Sequence, residues 1–429
     1  MQGLIGPLKE LAEFEELCKN KKKDVGMIRV CGCVNSQKSH MMYALGDGCK
    51  YKVIACSSET KAKQIYEEYR FLDSNTYLYP AKDFLFYQAD IRSKELVKQR
   101  MEGIQAVLSG EPVTVVTSLD GFMDHLAPKE SIAEKVLKVQ NDSVLKLDEM
   151  AEKLSVIGYD REVQVEGPGQ FAVRGGILDI YPLTEELPVR IELWGDEVDS
   201  IRTFDVESQR SIENLMDIVI YPAVEFPQNG EKGVSFLDYF PPEDTILFLD
   251  EPVRLVEHGQ NIEDEFMEAQ KKRLESGYDL EEEEAKIFPV TEILKKINCY
   301  SSIGFYALGM KCKGLEVRES YEIQAKSVNP YNNSFEMLTQ DLKRLKRNGY
   351  RVILLSGSRT RAKRLAEDLR DYNLSSYYSE DLDREVKPGE IMTAYGYIAE
   401  GYEYPMLKFT VIAESDIFGK RKKKNIHLK

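Results

Sequence analysis

The sequence predicts an α/β protein. A parallel-sheet domain of the nucleotide-binding kind, with a degenerate phosphate loop, is interrupted by a small antiparallel α+β domain and followed by a further small α/β unit. Three observations carry this. Between Gly26 and about Leu126, short β-rich runs alternate with helical stretches, the mark of βαβ units and a mostly parallel sheet. From about Ser131 the character changes to short alternating strands broken by Gly and Pro, and beyond Asn329-Pro330 the helix–strand alternation returns. At 429 residues, 42% hydrophobic and 10% aromatic, the chain can fill roughly two to four domains with cores of their own.

In the first domain, residues 1–130, the expected strands are Met27 to Val30, Lys52 to Cys56, Thr76 to Tyr79 and Val113 to Thr117. Ser58 to Leu72 reads as a serine-capped helix. Ser93 to Leu108 reads as another, with Leu96, Val97, Met101, Ile104 and Leu108 on one face. Residues 131–222 form the small domain, with strands expected at Val163 to Val165, Phe171 to Val173, Gly176 to Tyr181, Val189 to Leu193 and Ile201 to Phe204. Past Tyr221-Pro222, over 223–331, the chain returns to the first domain through a buried strand, Thr245 to Glu251, and a charged helical stretch from Glu257 to Lys286. Residues 332–429 make the last unit and a basic tail. It holds a helix ending at Arg347, a strand Arg351 to Leu355, a helix Thr360 to Leu369, and strands near Ile391 to Thr393 and Phe409 to Ala413.

The first strand leads into Gly32-Cys33-Val34-Asn35-Ser36-Gln37-Lys38-Ser39, which fits the phosphate-loop spacing G-x-x-x-x-G-K-[ST] except that Gln37 stands at the second glycine. That glycine lets backbone N–H groups close on nucleotide phosphates with no Cβ in the way, while the lysine and hydroxyl reach phosphate and Mg²⁺. The buried strand that ends in Asp250-Glu251 has the form an ATPase uses to hold Mg²⁺ and polarise water. Gly32, Gln37, Lys38, Ser39, Asp250 and Glu251 are thus expected to form a vestigial nucleotide site. Gln37 brings a side chain into the cradle, and no Q-x-x-G-R-x-x-R arginine motif follows Ala399 to Pro405, so a catalytically silent fold is expected, with no catalytic residue and no cofactor on this chain.

A net charge of −15 argues against a general nucleic-acid coat and confines any such contact to local clusters. The basic runs Lys21 to Lys23 and Lys420 to Lys424 read as solvated, and Glu281 to Glu284 as an exposed edge. Seven unevenly spread cysteines favour a reducing cytoplasm, and four scattered histidines offer no ligand spacing, so no metal site is expected. No apolar stretch is long enough for a signal peptide or membrane span. No G-x-S-x-G or nucleophile-and-base pattern is present. In the small domain, Arg174, Arg190 and Trp194 fall in strand-like stretches and have the composition of a protein-binding hot spot, with Gly175-Gly176 placed to present Arg174 through a tight turn. Against this, a lone Trp is commonly core, and Arg190 beside Glu192 could be a simple surface pair.

Three segments, Gly169 to Pro182, Pro188 to Leu193 and Asp196 to Asp205, resemble the domain shared by the excision-repair helicase UvrB and the bacterial transcription-repair coupling factors. The resemblance spans nearly the whole chain and sides with the coupling factors. UvrB has an intact phosphate loop and a DNA-clamping hairpin for which the Tyr79 to Arg100 interval has no room. The segment Ile412 to Lys423 also resembles the stretch before the polymerase-interacting domain of the coupling factors. The resemblance implies a RecA-like first domain and an N-terminal module that recruits UvrA, with Arg174, Arg190 and Trp194 at the UvrA-binding positions. It implies that ATP, Mg²⁺, RNA polymerase and double-stranded DNA engage the full-length family through domains beyond Lys429, and that UvrA binding here is constitutive, with no C-terminal domain to mask the surface. The alternative reading is a UvrB-like ATP-dependent helicase subunit; another is a module that only braces a motor.

Overall fold

The computed structural model describes residues 2–82, 94–228, 230–277 and 286–419. Two short N-terminal helices, α1 (Gln2–Ile5) and α2 (Ala12–Asn20), precede the first sheet. The βαβ pattern then holds: β1 (Gly26–Cys31), α3 (Asn35–Leu45), β2 (Tyr51–Cys56), α4 (Glu59–Leu72), β3 (Thr76–Tyr79), α5 (Lys94–Leu108) and β4 (Val113–Ser118). The Ser58 hydroxyl caps α4 by accepting the Lys61 N–H at 3.2 Å, as its position before the apolar periodicity requires.

The small domain carries α6 (Lys129–Glu134), β5 (Leu137–Gln140), α7 (Leu147–Val156), β6 (Asp160–Arg161), β7 (Gln170–Arg174), β8 (Ile177–Tyr181), β9 (Val189–Trp194), β10 (Glu197–Phe204), β11 (Ser211–Leu215) and β12 (Asp217–Ile220). Strands β7 to β11 form consecutive antiparallel pairs in one sheet, and β12 pairs with β5. Phe171, Leu178, Ile180, Ile191, Val198 and Ile201 face a core shared with α7. The alternate residues face outward, as a half-buried antiparallel sheet requires. The expected strand at Val163 to Val165 is not formed; Val163 is exposed and the short pairing lies earlier, at β6.

The chain then re-enters the first sheet through β13 (Thr245–Asp250), α8 (Pro252–Glu275), α9 (Val290–Ile297), β14 (Ser301–Phe305) and β15 (Val317–Glu322). The order β15-β1-β14-β13-β2-β4-β3 is parallel throughout, so β14 and β13 lie between β1 and β2. Strands β14 and β15 were not expected from the sequence. One is short with an internal glycine, and the other, Val-Arg-Glu-Ser-Tyr-Glu, is a charged edge strand without clear apolar alternation.

The last unit has β16 (Lys326–Ser327), α10 (Phe335–Arg347), β17 (Arg351–Ser356), α11 (Arg359–Asp371), β18 (Ser376–Ser379), β19 (Ile391–Tyr395), β20 (Tyr402–Tyr404), β21 (Phe409–Ala413) and α12 (Glu414–Phe418). Its sheet runs β16-β20-β21-β17-β19-β18. One face packs on α10 and α11. The other shares a continuous core with the first sheet, where Ile353, Met392 and Val411 join the cluster of Met41, Ile54 and Ile65. The first and last units are therefore fused by apolar packing. The Glu281 to Glu284 and Lys420 to Lys424 runs, and most of the interval between Tyr79 and Arg100, lie outside the described residues. Among the described residues, no helix is long and apolar enough to cross a membrane.

Candidate functional site

Two sets of candidate residues lie on different units. In the first, β1 passes through only Gly32, Cys33 and Val34 before α3 begins at Asn35, so Gln37 sits inside the first helical turn rather than in a loop. The expectation that its side chain enters the phosphate cradle is corrected. The Gln37 Oε1 accepts the Val34 N–H at 3.2 Å, and its Nε2 donates to the Tyr404 hydroxyl on β20 at 3.0 Å. With so short a connection the helix absorbs the glycine position, and the amide turns toward the last unit. The Cys33 N–H, a second group that would face an anion, donates to the Tyr306 carbonyl at 3.0 Å. Gly32 has φ +78°, and a Cβ there would lie 2.1 Å from the Ile323 carbonyl oxygen. Its glycine is required by the chain crossing over it, independently of any phosphate.

Lys38 and the two carboxylates do come together, although they are more than two hundred residues apart. The Lys38 Nζ donates to Asp250 Oδ1 at 2.8 Å and to Glu251 Oε1 at 2.6 Å. Glu251 sits in the left-handed region, φ 50°, where β13 turns into α8, and its Oε1 also accepts the Ala307 N–H at 2.8 Å. Burial works against the Lys38 charge. The Asp250 charge and the hydrogen bonds to both carboxylates outweigh it and raise the pKa, so the ammonium persists. Lys38 is thereby committed to two carboxylates, while Lys61 and Arg254 add positive charge on the adjoining cleft wall. Beside it opens a cleft of about 450 Å³ at the carboxyl ends of the strands, lined by Val34, Ser58, Lys61, Glu251 and Arg254.

Ser39 is turned away from this cleft. Its hydroxyl donates to Glu68 Oε2, while Ser36 donates to Glu68 Oε1 at 2.6 Å. The same buried carboxylate accepts the Ala399 N–H at 3.0 Å, and the Ser36 oxygen accepts the Glu400 N–H at 3.1 Å. Asn35 also donates to the Glu400 carboxylate. One helical turn further, His40 Nε2 faces the Leu4 carbonyl at 2.9 Å and Nδ1 faces the Tyr404 hydroxyl at 3.0 Å. This network assigns the proton to Nε2, with the tyrosine donating to Nδ1. Burial lowers the His40 pKa to about 4, against the raising effect of the Leu4 carbonyl. The stretch 35–40 thus forms a junction with the segment around Ala399 to Tyr404. Glu68, His40 and Tyr404 were missed by the sequence reading; the available signal was a carboxylate on the same helical stripe as Ile65 and Tyr69.

The second set lies on the outer face of the small-domain sheet. Asp179 on β8 stands opposite Arg190 on β9, and its carboxylate, buried to 1% exposure, holds two arginines. Oδ2 accepts Arg174 Nη2 at 2.6 Å and Arg190 Nη2 at 2.9 Å, and Oδ1 accepts Arg190 Nε at 2.7 Å. Arg190 also donates to Gln209 Oε1 at 2.8 Å and lies 4.5 Å above the Phe204 ring. It is an internal brace with little free surface, and Glu192 pairs with Arg202 instead. Arg174 is half exposed at a hairpin whose turn is Gly175-Gly176, with Gly175 at φ 60°. Trp194 is 86% exposed, at the end of β9 where Gly195, φ 64°, starts the next turn. The lone tryptophan is therefore a surface residue. Asp179, a single acid inside an apolar strand, is the member of this cluster that the sequence reading did not single out.

Neither set provides a nucleophile with a base. The Cys33 thiol beside the cleft is pushed up to about 12 by burial and stays protonated. The outer sheet face offers cation, hydrogen-bond donors and an aromatic anchor, which suits protein recognition.

Residues 137–226 match the UvrB interaction domain. The transcription-repair-coupling factor of Bacillus subtilis is 25% identical, the alignment covering 97% of this chain and 40% of that protein. Its counterpart in Staphylococcus haemolyticus is 24% identical, over 82% of this chain and 34% of that one. The chain spans about two-fifths or less of the length of these relatives. A solved structure described as a hypothetical ATP-dependent RNA helicase from Sulfolobus tokodaii covers 92% of this chain and 82% of its own at 9% identity, with a TM-score of 0.25 too low to carry an argument. The expected resemblance to the N-terminal region of the transcription-repair coupling factors is borne out, and so is the α/β fold containing a small UvrB-type interaction domain.

Proposed function

We propose that this chain is the recruitment module of a transcription-repair coupling factor, and that it binds UvrA through the outer face of the small-domain sheet. The observation that carries this is Trp194, 86% exposed beside the Arg174–Asp179–Arg190 cluster, inside the stretch that matches the UvrB interaction domain. Arg174 and Trp194 make the contact. Arg190, locked to Asp179 and Gln209, fixes the surface from beneath. RNA polymerase and double-stranded DNA would be engaged by other parts of a full-length coupling factor.

The nucleotide site is read as vestigial. ATP and Mg²⁺ would need Lys38 and Ser39, yet Lys38 is neutralised by Asp250 and Glu251 and Ser39 is bonded to Glu68. The residues present do not fit the triphosphate, so no hydrolytic step is assigned to them, and the helicase reading is disfavoured on the same ground. Two measurements test the proposal. Immobilised UvrA should retain the parent chain and lose Trp194→Ala, whose exposure leaves folding undisturbed, together with Arg174→Ala; equal retention refutes the assignment. Calorimetry with ATP and Mg²⁺ at millimolar concentration should show no saturable heat, and a saturable isotherm refutes the vestigial reading.

A further inference from the structure

Trp194 is not isolated. Val144, 77% exposed, pairs with Glu197 across an antiparallel bridge, and Glu197 pairs on its other side with Trp194. Directly paired residues point to the same face, so Trp194, Glu197 and Val144 form one row across three adjacent segments. The segment bearing Val144 is fixed on β10. Asp142 N–H donates to the Val198 carbonyl at 3.0 Å, Val198 N–H to Ser143 at 2.9 Å, and Leu145 N–H to Asp196 at 2.7 Å. Met216, 76% exposed, adjoins it where the Asn141 N–H meets the Met216 carbonyl at 3.0 Å. The carboxylates Asp142, Asp196, Glu197 and Asp199 belong to the same paired segments, and all four residues are exposed.

We infer that the partner surface continues from Trp194 onto Val144 and Met216, and that UvrA meets it with an apolar seat ringed by basic side chains. This rests on the reading that the outer sheet face binds UvrA. Exposed apolar side chains fixed on neighbouring hydrogen-bonded segments are anchors that gain by desolvation, and the carboxylates between and around them, Glu197 among them, select a basic rim. A second copy of this chain is a poor occupant, because a two-fold contact would set this acidic patch against itself.

The experiment measures UvrA affinity of the whole chain by surface plasmon resonance at low and moderate salt. Val144→Asp is expected to weaken binding by about 10-fold or more, the range of an interface anchor. Val144→Met should bind as the parent. Asp196→Lys combined with Asp199→Lys should weaken binding and flatten its salt dependence. Val144→Asp binding like the parent while Arg174→Ala with Trp194→Ala fails would overturn the extension and leave the proposed function standing. Parental affinity in all variants would overturn the proposed function itself. Loss of self-association in Val144→Asp with UvrA affinity unchanged would assign the patch to a contact between copies and overturn the inference.

Discussion

Lowering the pH from 6.5 toward 4 should loosen the junction between α3, the N-terminal segment and the last unit, because His40 is buried there in its neutral form. In the unfolded chain this imidazole takes up a proton near pH 6.5. In the fold it resists until about 4, buried between the Leu4 carbonyl and the Tyr404 hydroxyl. Between these values the unfolded state binds more protons than the folded one, so stability falls as pH falls. Above 6.5 the contribution is constant. At ~1.4 kcal/mol per pH unit, a folded pKa of about 4 against about 6.5 in the unfolded chain corresponds to about 3 kcal/mol lost across the window. Urea unfolding of the parent and of His40→Gln, followed by tyrosine fluorescence at pH 7, 6, 5 and 4, isolates the effect from carboxylate titration, which both share. Glutamine retains a donor for Leu4 and an acceptor for Tyr404 but cannot titrate. The parent should therefore lose about 3 kcal/mol more than the variant by pH 4. Parallel pH curves for the two proteins would refute the assignment of a neutral, desolvated His40.

Lys38→Met leaves Asp250 and Glu251 facing each other without their cation, and should cost about 3–5 kcal/mol, as for a broken buried ion pair. Adding Asp250→Asn and Glu251→Gln should restore most of the loss, because the cluster is then uncharged; thermal melts in which the triple variant is weaker than the single one would contradict the internal ion cluster. Asp179→Asn removes the charge that holds Arg174 and Arg190 together and should cost about 3 kcal/mol in chemical unfolding. The same variant should weaken UvrA binding more than Gln209→Ala does, since Gln209 touches Arg190 alone; equal affinities for both would show that the arginine positions do not matter to the partner.

Local sequence was sufficient for the elements whose signal is periodicity or composition. The fully buried run Thr245 to Asp250 read as a strand because parallel strands covered on both faces are continuously apolar. The alternating runs at β7 to β10 read as a half-exposed sheet, and Ser58 marked the start of α4 because its hydroxyl satisfies an orphan N–H. The phosphate-loop frame and Asp250-Glu251 were likewise visible as residue types in order. What those groups do was decided by contacts between residues far apart in the chain. Nothing near Gln37 announces Tyr404, nothing near Ser39 announces Glu68, and the Lys38 cluster exists only because β14 and β13 slide in between β1 and β2. The exposure of Trp194 and the burial of Arg190 differ for the same reason. Both lie on the outer face of β9, but Arg190 is held down by Asp179, Gln209 and the Phe204 ring, whereas Trp194 ends the strand beside the Gly195 turn. Periodicity fixes which face a side chain takes, whereas its charge, hydrogen bonds and accessibility depend on which distant strand or helix the fold sets against it.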